Sequence, residues 1–437
     1  MLIEFTVGNL LSFKDPVTFS MEAASISELE ESNTFEFGKY RLLKSGVVYG
    51  ANASGKSNLI TAMGFMRWFI INSSKESQAE EPIDVDNFKL STETENAPSF
   101  FEIVFICDQK KYRYGFEVDR EQIHSEWLFF TPSTREARLF TRDKNGIKIG
   151  TYFKEGIKRK EMIRANALFL SVVAQLNGSM SKNLLEWFDR FFIIEGLDFL
   201  NDLRFTMLSA SQLENSDFKQ KFIKYLKIGD LGIDGVNIRK AQTSELLEDM
   251  KGFFSNEIIE KMEKSNKLGK KANEYIKNIS TLHNKYDDKH KILPLKVEFD
   301  LSQDESEGTQ KFFGMLGPIL DTLEKGSILV VDELDARFHR DITEFIVQIF
   351  HSRQTNPNNA QLIFATHNTN LLDRDLFRRD QIWFTEKDQY GATDLYSLVE
   401  YKNVRKDATY EKDYIAGKYG AVPFIKNFEV LLNNEDE

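Results

Sequence analysis

Residues 50–57 read Gly50-Ala51-Asn52-Ala53-Ser54-Gly55-Lys56-Ser57, which fits the spacing G-x-x-x-x-G-K-[ST]. In a loop of this kind the backbone N–H groups point inward at phosphate oxygens. The helix that follows adds a favourable potential for anions. Lys56 would reach the β- and γ-phosphates of ATP, and the Ser57 hydroxyl would ligate Mg²⁺. Gly50 and Gly55 leave room for the backbone to close on the phosphates. The flanks suit the role: Val47-Val48-Tyr49 reads as a strand end and Asn58–Met63 as a helix start. The pattern arises by chance in roughly one chain in fifty of this size, so the other parts of a nucleotide site must also be found.

Three further stretches supply them. Ser327–Val331 is an apolar strand that runs into Asp332-Glu333. Asp332 is placed to hold Mg²⁺ through water, and Glu333 to orient or deprotonate the attacking water. Gln361–Thr366 is a second apolar strand, ending in His367-Asn368. A lone histidine there is ordinarily a loop residue. Its place after the acidic strand and before Leu371-Leu372 favours contact with the γ-phosphate or the water. Glu305–Gln310 precedes an apolar-spaced helix at Phe312–Leu316. Ser306 and Gly308 at a helix start form a second anion site. One helix start already serves the phosphate loop, so this one would serve ATP held by another subunit. Phe13 could stack on adenine or belong to the core.

The elements that must position these residues follow from pattern. The chain has 437 residues, 41% hydrophobic and 29% charged, enough for a large core and two lobes. No apolar run approaches the roughly 20 residues that cross a bilayer, and Met1–Phe5 lacks a leader-like basic start, so no membrane partner is expected. The single cysteine, Cys107, excludes an internal disulfide and a cysteine zinc site and suits a cytoplasmic location. A net charge of −11 argues against a nucleic-acid binder over its whole surface, though not against a local basic face. Residues 1–21 read as a hairpin, 22–45 as irregular, and 100–149 as an antiparallel β region. Ala167–Gln175 reads as a buried strand. Residues 178–290 read as mostly helical, with a short strand at 235–238 and a lysine-rich stretch from Lys251 to Lys291. That stretch is either a solvated helix face or a contact for nucleic acid or protein.

In this order the parts resemble the ABC-type ATPases that include structural-maintenance and DNA-repair enzymes. Gly50–Ser57 followed by Asn58 resembles the Walker A motif, with Asn52, Ala53 and Ser54 in its loop. Ile328–Glu333 resembles Walker B, Leu334-Asp335 the D-loop, and His367 the switch histidine. Gln175, ahead of an insertion, resembles the Q-loop glutamine that contacts nucleotide and Mg²⁺. Glu305–Gln310 resembles the signature loop. The resemblance implies an α/β fold: a P-loop NTPase of ABC type with an antiparallel β subdomain and a helical insertion. The expected divisions are residues 1–175, 176–294 and 295–437.

A narrower resemblance rests on Gly8–Phe13, Ser306–Thr309, Asp332–Asp335 with His339, Ala365–Asn368 and Tyr414–Pro423. These are similar to the AAA15 family of bacterial ATPases, which serve in anti-phage and abortive-infection systems such as the anti-restriction-induced (PARIS) and RloA/AbiL-type systems. The resemblance implies a homo-oligomer, at least a dimer and compatible with higher assemblies. It also implies a phage protein as a trigger and a separate toxic effector such as a nuclease. Only 70 residues follow His367, too few for a nuclease domain. One departure matters: the usual signature is Leu-Ser-Gly-Gly-Gln, and Glu307 stands where a glycine would face the γ-phosphate. That carboxylate must point away, and slow hydrolysis is expected. A repair-type, nucleic-acid-binding ATPase is the alternative; a transporter subunit would need an orthodox signature.

Overall fold

The alternating pattern of Leu2–Gly8 makes strand β1, which pairs antiparallel with β2 (Val17–Ser20), Thr6 opposite Thr18. A short helix, α1 (Glu30–Asn33), leads to a hairpin of β3 (Thr34–Phe37) and β4 (Tyr40–Leu43), where the sequence suggested irregular chain. β5 (Ser45–Gly50) is buried along its whole length and runs into α2 (Lys56–Asn72). The expected β region follows as β6 (Ser99–Cys107), β7 (Lys110–Val118), β8 (Ile123–Thr131), β9 (Ala137–Asp143) and β10 (Gly146–Ile149). With β1 and β2 these form a seven-stranded antiparallel sheet in the order β10-β9-β8-β7-β6-β1-β2. This computed structural model describes residues 1–75, 81–194, 199–229, 232–242, 274–402, 404 and 409–423.

Two expectations change in the middle of the chain. Phe169–Gln175 is a helix, α3, and not a strand. Its start is fixed by the buried Glu126, whose carboxylate accepts from Phe169 N (2.6 Å) and Leu170 N (3.0 Å). A short apolar run fits a buried helix as well as a buried strand, and a carboxylate from another strand decided between them. Next come α4 (Ser179–Asp189) and β11 (Phe191–Ile194). The stretch expected to be helical holds α5 (Phe199–Gln212) and α6 (Ser216–Ile228). It also holds two long strands, β12 (Ile233–Gln242), which contains the short strand expected at 235–238, and β13 (Glu274–Tyr286); β14 (Ile292–Asp300) follows the stretch. The three strands form an antiparallel sheet in that order. Ile276 and Ile279 have helical spacing, but the β-branched content of Ile276–Thr281 favours a pleated surface. Most of the lysine-rich stretch, residues 243–273, lies outside the described residues. α7 (Glu307–Lys325) follows. The chain separates into two compact units, residues 1–196 with 322–437, and residues 197–321.

The first unit is completed by β15 (Ile328–Val331), α8 (Arg340–His351), β16 (Gln361–Ala365), β17 (Ile382–Lys387), β18 (Thr393–Ser397) and α9 (Tyr410–Ile415). Its second sheet runs β11-β15-β16-β5-β17-β18, parallel except for β18. α2 packs between the two sheets, which explains why buried residues recur on nearly every face: Leu59, Ile60, Ala62, Met63, Met66, Phe69 and Ile70. Its Phe69 ring lies 5.6 Å from Phe116, and Phe65 lies 5.1 Å from Phe101, both partners on the antiparallel sheet. Val48, Val330 and Ile363 of the parallel sheet join the same core. Phe13 is in that core, fully buried, and so is not free to stack on a base.

Candidate functional site

Three adjacent parallel strands end at one edge. Val331 lies opposite Phe364, and Ala365 opposite Val48. Leu334 N donates to Ala365 O (3.1 Å) and Thr366 N to Val48 O (3.2 Å). The phosphate loop after β5, Asp332-Glu333 after β15 and His367 after β16 therefore emerge side by side. The carboxyl ends of parallel strands form the crevice in which ligands bind in open α/β sheets.

The loop is held by a hydroxyl network that sequence reading missed. Ser54 Oγ lies 2.6 Å from Thr385 Oγ1, within β17. Thr393 Oγ1 of β18 lies 2.8 Å from both Ser54 O and Ser12 Oγ. Asn58 Nδ2 donates to Ser12 Oγ (2.6 Å). No local pattern marks this tie, although Ser12 sits within the Gly8–Phe13 motif. Gly55 has φ +117°, and a Cβ there would come 2.6 Å from Thr393 Oγ1. A Cβ on Gly50 would collide with Ser54 and Thr385. Ala53 also takes a positive φ of 61°. Asn52, Ala53 and Ser57 are exposed, so the loop's rim and the Ser57 hydroxyl are open to a ligand.

Lys56 is buried, and its ammonium donates to Gly50 O (2.8 Å) and Ala51 O (3.0 Å). Burial lowers its pKa to about 8, against the opposing fields of Asp332, Glu333 and Asp335. Glu333 has φ +50°, a strained geometry for a non-glycine residue and one that clusters at functional sites. His367 is held below the usual imidazole pKa by desolvation and then by the Lys56 ammonium, so it is neutral at pH 7. Asp332 Oδ1 and Asp335 Oδ1 are both buried without a hydrogen-bond partner. An orphaned carboxylate oxygen costs free energy unless something meets it, and a hydrated cation beside bound phosphates would do so. Among the described residues no cluster of three or more acidic, histidine or cysteine side chains could hold a metal alone. Mg²⁺ in phosphate sites takes one or two protein ligands and leaves the rest to water and phosphate. Ser57 and Asp332 fit that pattern.

Not every expected residue is gathered here. Gln175 is exposed at the end of α3, and α3 is fastened by Ser171 Oγ donating to Ile70 O. Ile70 lies near the far end of the 17-residue α2, which is about 25 Å long. The Gln175 segment is thus anchored away from Lys56, at odds with its expected nucleotide and metal role. Ser306 and Gly308 belong to the second unit. There Ser306 caps α7, its Oγ accepting from Thr309 N (3.1 Å). Ser306 and Glu307 are exposed.

Residues 47–373 match the family described as AAA domain, putative AbiEii toxin, Type IV TA system. The chain belongs to this family. The matched span begins on β5, the strand of the phosphate loop, and ends just past His367, so it encloses the site of this AAA domain. The family and the parallel register of β15, β16 and β5 give the chain an α/β AAA domain with a P-loop-type nucleotide-binding fold. Among solved structures, the SMC head domain from Thermotoga maritima is similar at 14% identity, covering 91% of this chain and 98% of that one, with a TM-score of 0.39. No curated protein matches the AAA domain or the rest of the chain. No described helix is long and apolar enough to cross a membrane.

Proposed function

We propose that the chain binds and hydrolyses ATP with Mg²⁺ in a composite site shared by two copies. It uses the assembled state to control a separate effector, such as a nuclease, in an anti-phage abortive-infection system. The observation that carries the ATP reading is the orphaned, buried Asp332 Oδ1, whose carboxylate field acts on the Lys56 ammonium. A site built for the folded chain alone would pair that oxygen. The resemblance of Gly8–Phe13, Ser306–Thr309 and Tyr414–Pro423 to ATPases of PARIS and RloA/AbiL-type systems supports the defence role. So does a family description that names a putative AbiEii toxin and a type IV TA system.

In this reading the loop N–H groups and Lys56 hold the β- and γ-phosphates. Ser57 and Asp332 would hold Mg²⁺, which supplies charge neutralisation when bound. Glu333 orients the attacking water and accepts its proton. Neutral His367 donates a hydrogen bond toward the γ-phosphate side. The base has a place in a cavity of about 290 Å³ lined by Leu11, Ser12, Asn58, Phe88, Lys89 and Leu90, next to the loop. Ser306 and Gly308 of a second copy complete the site, with Asp335 at the junction. The test is ATP binding and turnover by the purified chain with Lys56→Ala, for which both should fall below detection. Turnover unchanged by that substitution would refute the assignment.

A further inference from the structure

Directly before the cap of α7 stands a buried carboxylate that the roles above leave unexplained. The Glu305 side chain is only 8% exposed. Its Oε1 accepts from Thr281 Oγ1 and lies 2.7 Å from His283 Nε2, both residues of β13. The His283 ring packs on Phe299 of β14, with centroids 4.5 Å apart. One backbone bond and one side-chain bond fasten the same segment a second time. Leu301 N donates to Ile279 O (3.0 Å), and Gln310 Nε2 donates to Glu305 O (3.0 Å). The neighbours Ser306 and Glu307 nevertheless face solvent. Burial alone would be served better by an apolar side chain, since a carboxylate must recover its lost hydration from specific partners. A carboxylate with two fixed partners gains direction in exchange.

We propose that Glu305, held by Thr281 and His283, is a positioning residue for ATP hydrolysis. It locks the exposed turn Ser306–Gly308 to the sheet β12–β13–β14, so that the turn meets ATP bound by a second copy. The inference rests on the composite site proposed above. The three-stranded sheet then serves as a rigid mount for the part of the site that acts across the dimer. Glu305 touches no nucleotide and acts through Ser306.

Intersubunit complementation tests it. Glu305→Ala and His283→Ala should each lower turnover about 10- to 100-fold while ATP affinity stays unchanged, because the ATP-holding loop of each chain is intact. Glu305→Gln, which keeps an acceptor for Thr281 and His283, should restore most of the rate. Lys56→Ala alone is inactive. Mixed one to one with Glu305→Ala, it should recover about a quarter of the wild-type rate, because half the pairs form mixed dimers with one intact site each. His283→Ala in the same mixture covers the case in which Glu305→Ala does not fold. Wild-type turnover by Glu305→Ala and His283→Ala overturns the proposal. So does a slow variant that Lys56→Ala cannot rescue, if Ser306→Ala is rescued in parallel. If no pair is rescued, the composite site itself is wrong and the proposal falls with it.

Discussion

Lys56 and Glu333 make separable demands on ATP. In the proposed mechanism Lys56 contributes charge to binding, whereas Glu333 contributes to the movement of one proton. Glu333→Gln should therefore keep ATP affinity and lose turnover by about 10²- to 10⁴-fold, the usual yield of a positioned base. Equal turnover in a steady-state phosphate-release assay would remove Glu333 from this role. The burial of Lys56 adds a pH signature. In the ligand-free chain its pKa is lowered to about 8, and bound phosphates must raise it again. Below pH 8 the ammonium is already charged and affinity does not depend on it. Above pH 8 binding must take up a proton, so affinity should fall by up to about tenfold per pH unit until the bound-state pKa is reached. Calorimetric titration of Glu333→Gln with ATP at pH 7.5 and 9.5 measures this, and equal Kd values would contradict it. The spacing of Gly50–Ser57 made these residues legible without a structure. Ser12, Thr385 and Thr393 were not, because a hydroxyl tie between distant strands leaves no local pattern.

Elements with strong periodicity were readable, and those decided by a distant partner were not. The alternating strands of the antiparallel sheet and the strands ending at Asp332 and His367 lie where their patterns put them. Ala167–Gln175 failed because eight residues of apolar sequence do not distinguish a strand from a helix. The choice rests on Glu126, more than forty residues earlier in the chain. That carboxylate is completely buried, accepts from Phe169 N, Leu170 N and Tyr114 Oη (2.9 Å), and has Arg142 at 3.7 Å. Glu126→Ala would leave two N–H groups and a hydroxyl without their partner, and the Arg142 guanidinium without its counter-charge, held by the carbonyls of Arg164, Ala165 and Ala167. It should cost about 3–5 kcal/mol of stability, as breaking a buried ion pair does. Urea unfolding checks this, and a loss below about 1 kcal/mol would mean that α3 is capped in some other way. β13 was hidden for a related reason: its mixed polar sequence has little alternation, whereas residues 235–238 already marked part of β12.

At the scale of the whole molecule, the phosphate loop and the Ser306–Gly308 turn belong to different units of the chain. The sequence placed the turn in the second half of the ATPase core, residues 295–437, and did not show that a three-stranded sheet carries it. In the proposed composite site ATP would act as a switch for assembly, and slow hydrolysis would make that switch long-lived. The most direct test is the native mass of Glu333→Gln purified with Mg²⁺ and ATP, with any bound polypeptides identified. The expected species is a nucleotide-dependent dimer of about 101 kDa, twice the 50.7 kDa chain, or a multiple of it, carrying a nuclease-like protein. A monomer with or without ATP would contradict the composite site. A bare dimer that retains nucleic acid, with binding that falls steeply as salt rises, would contradict the effector role and point to a repair-type ATPase.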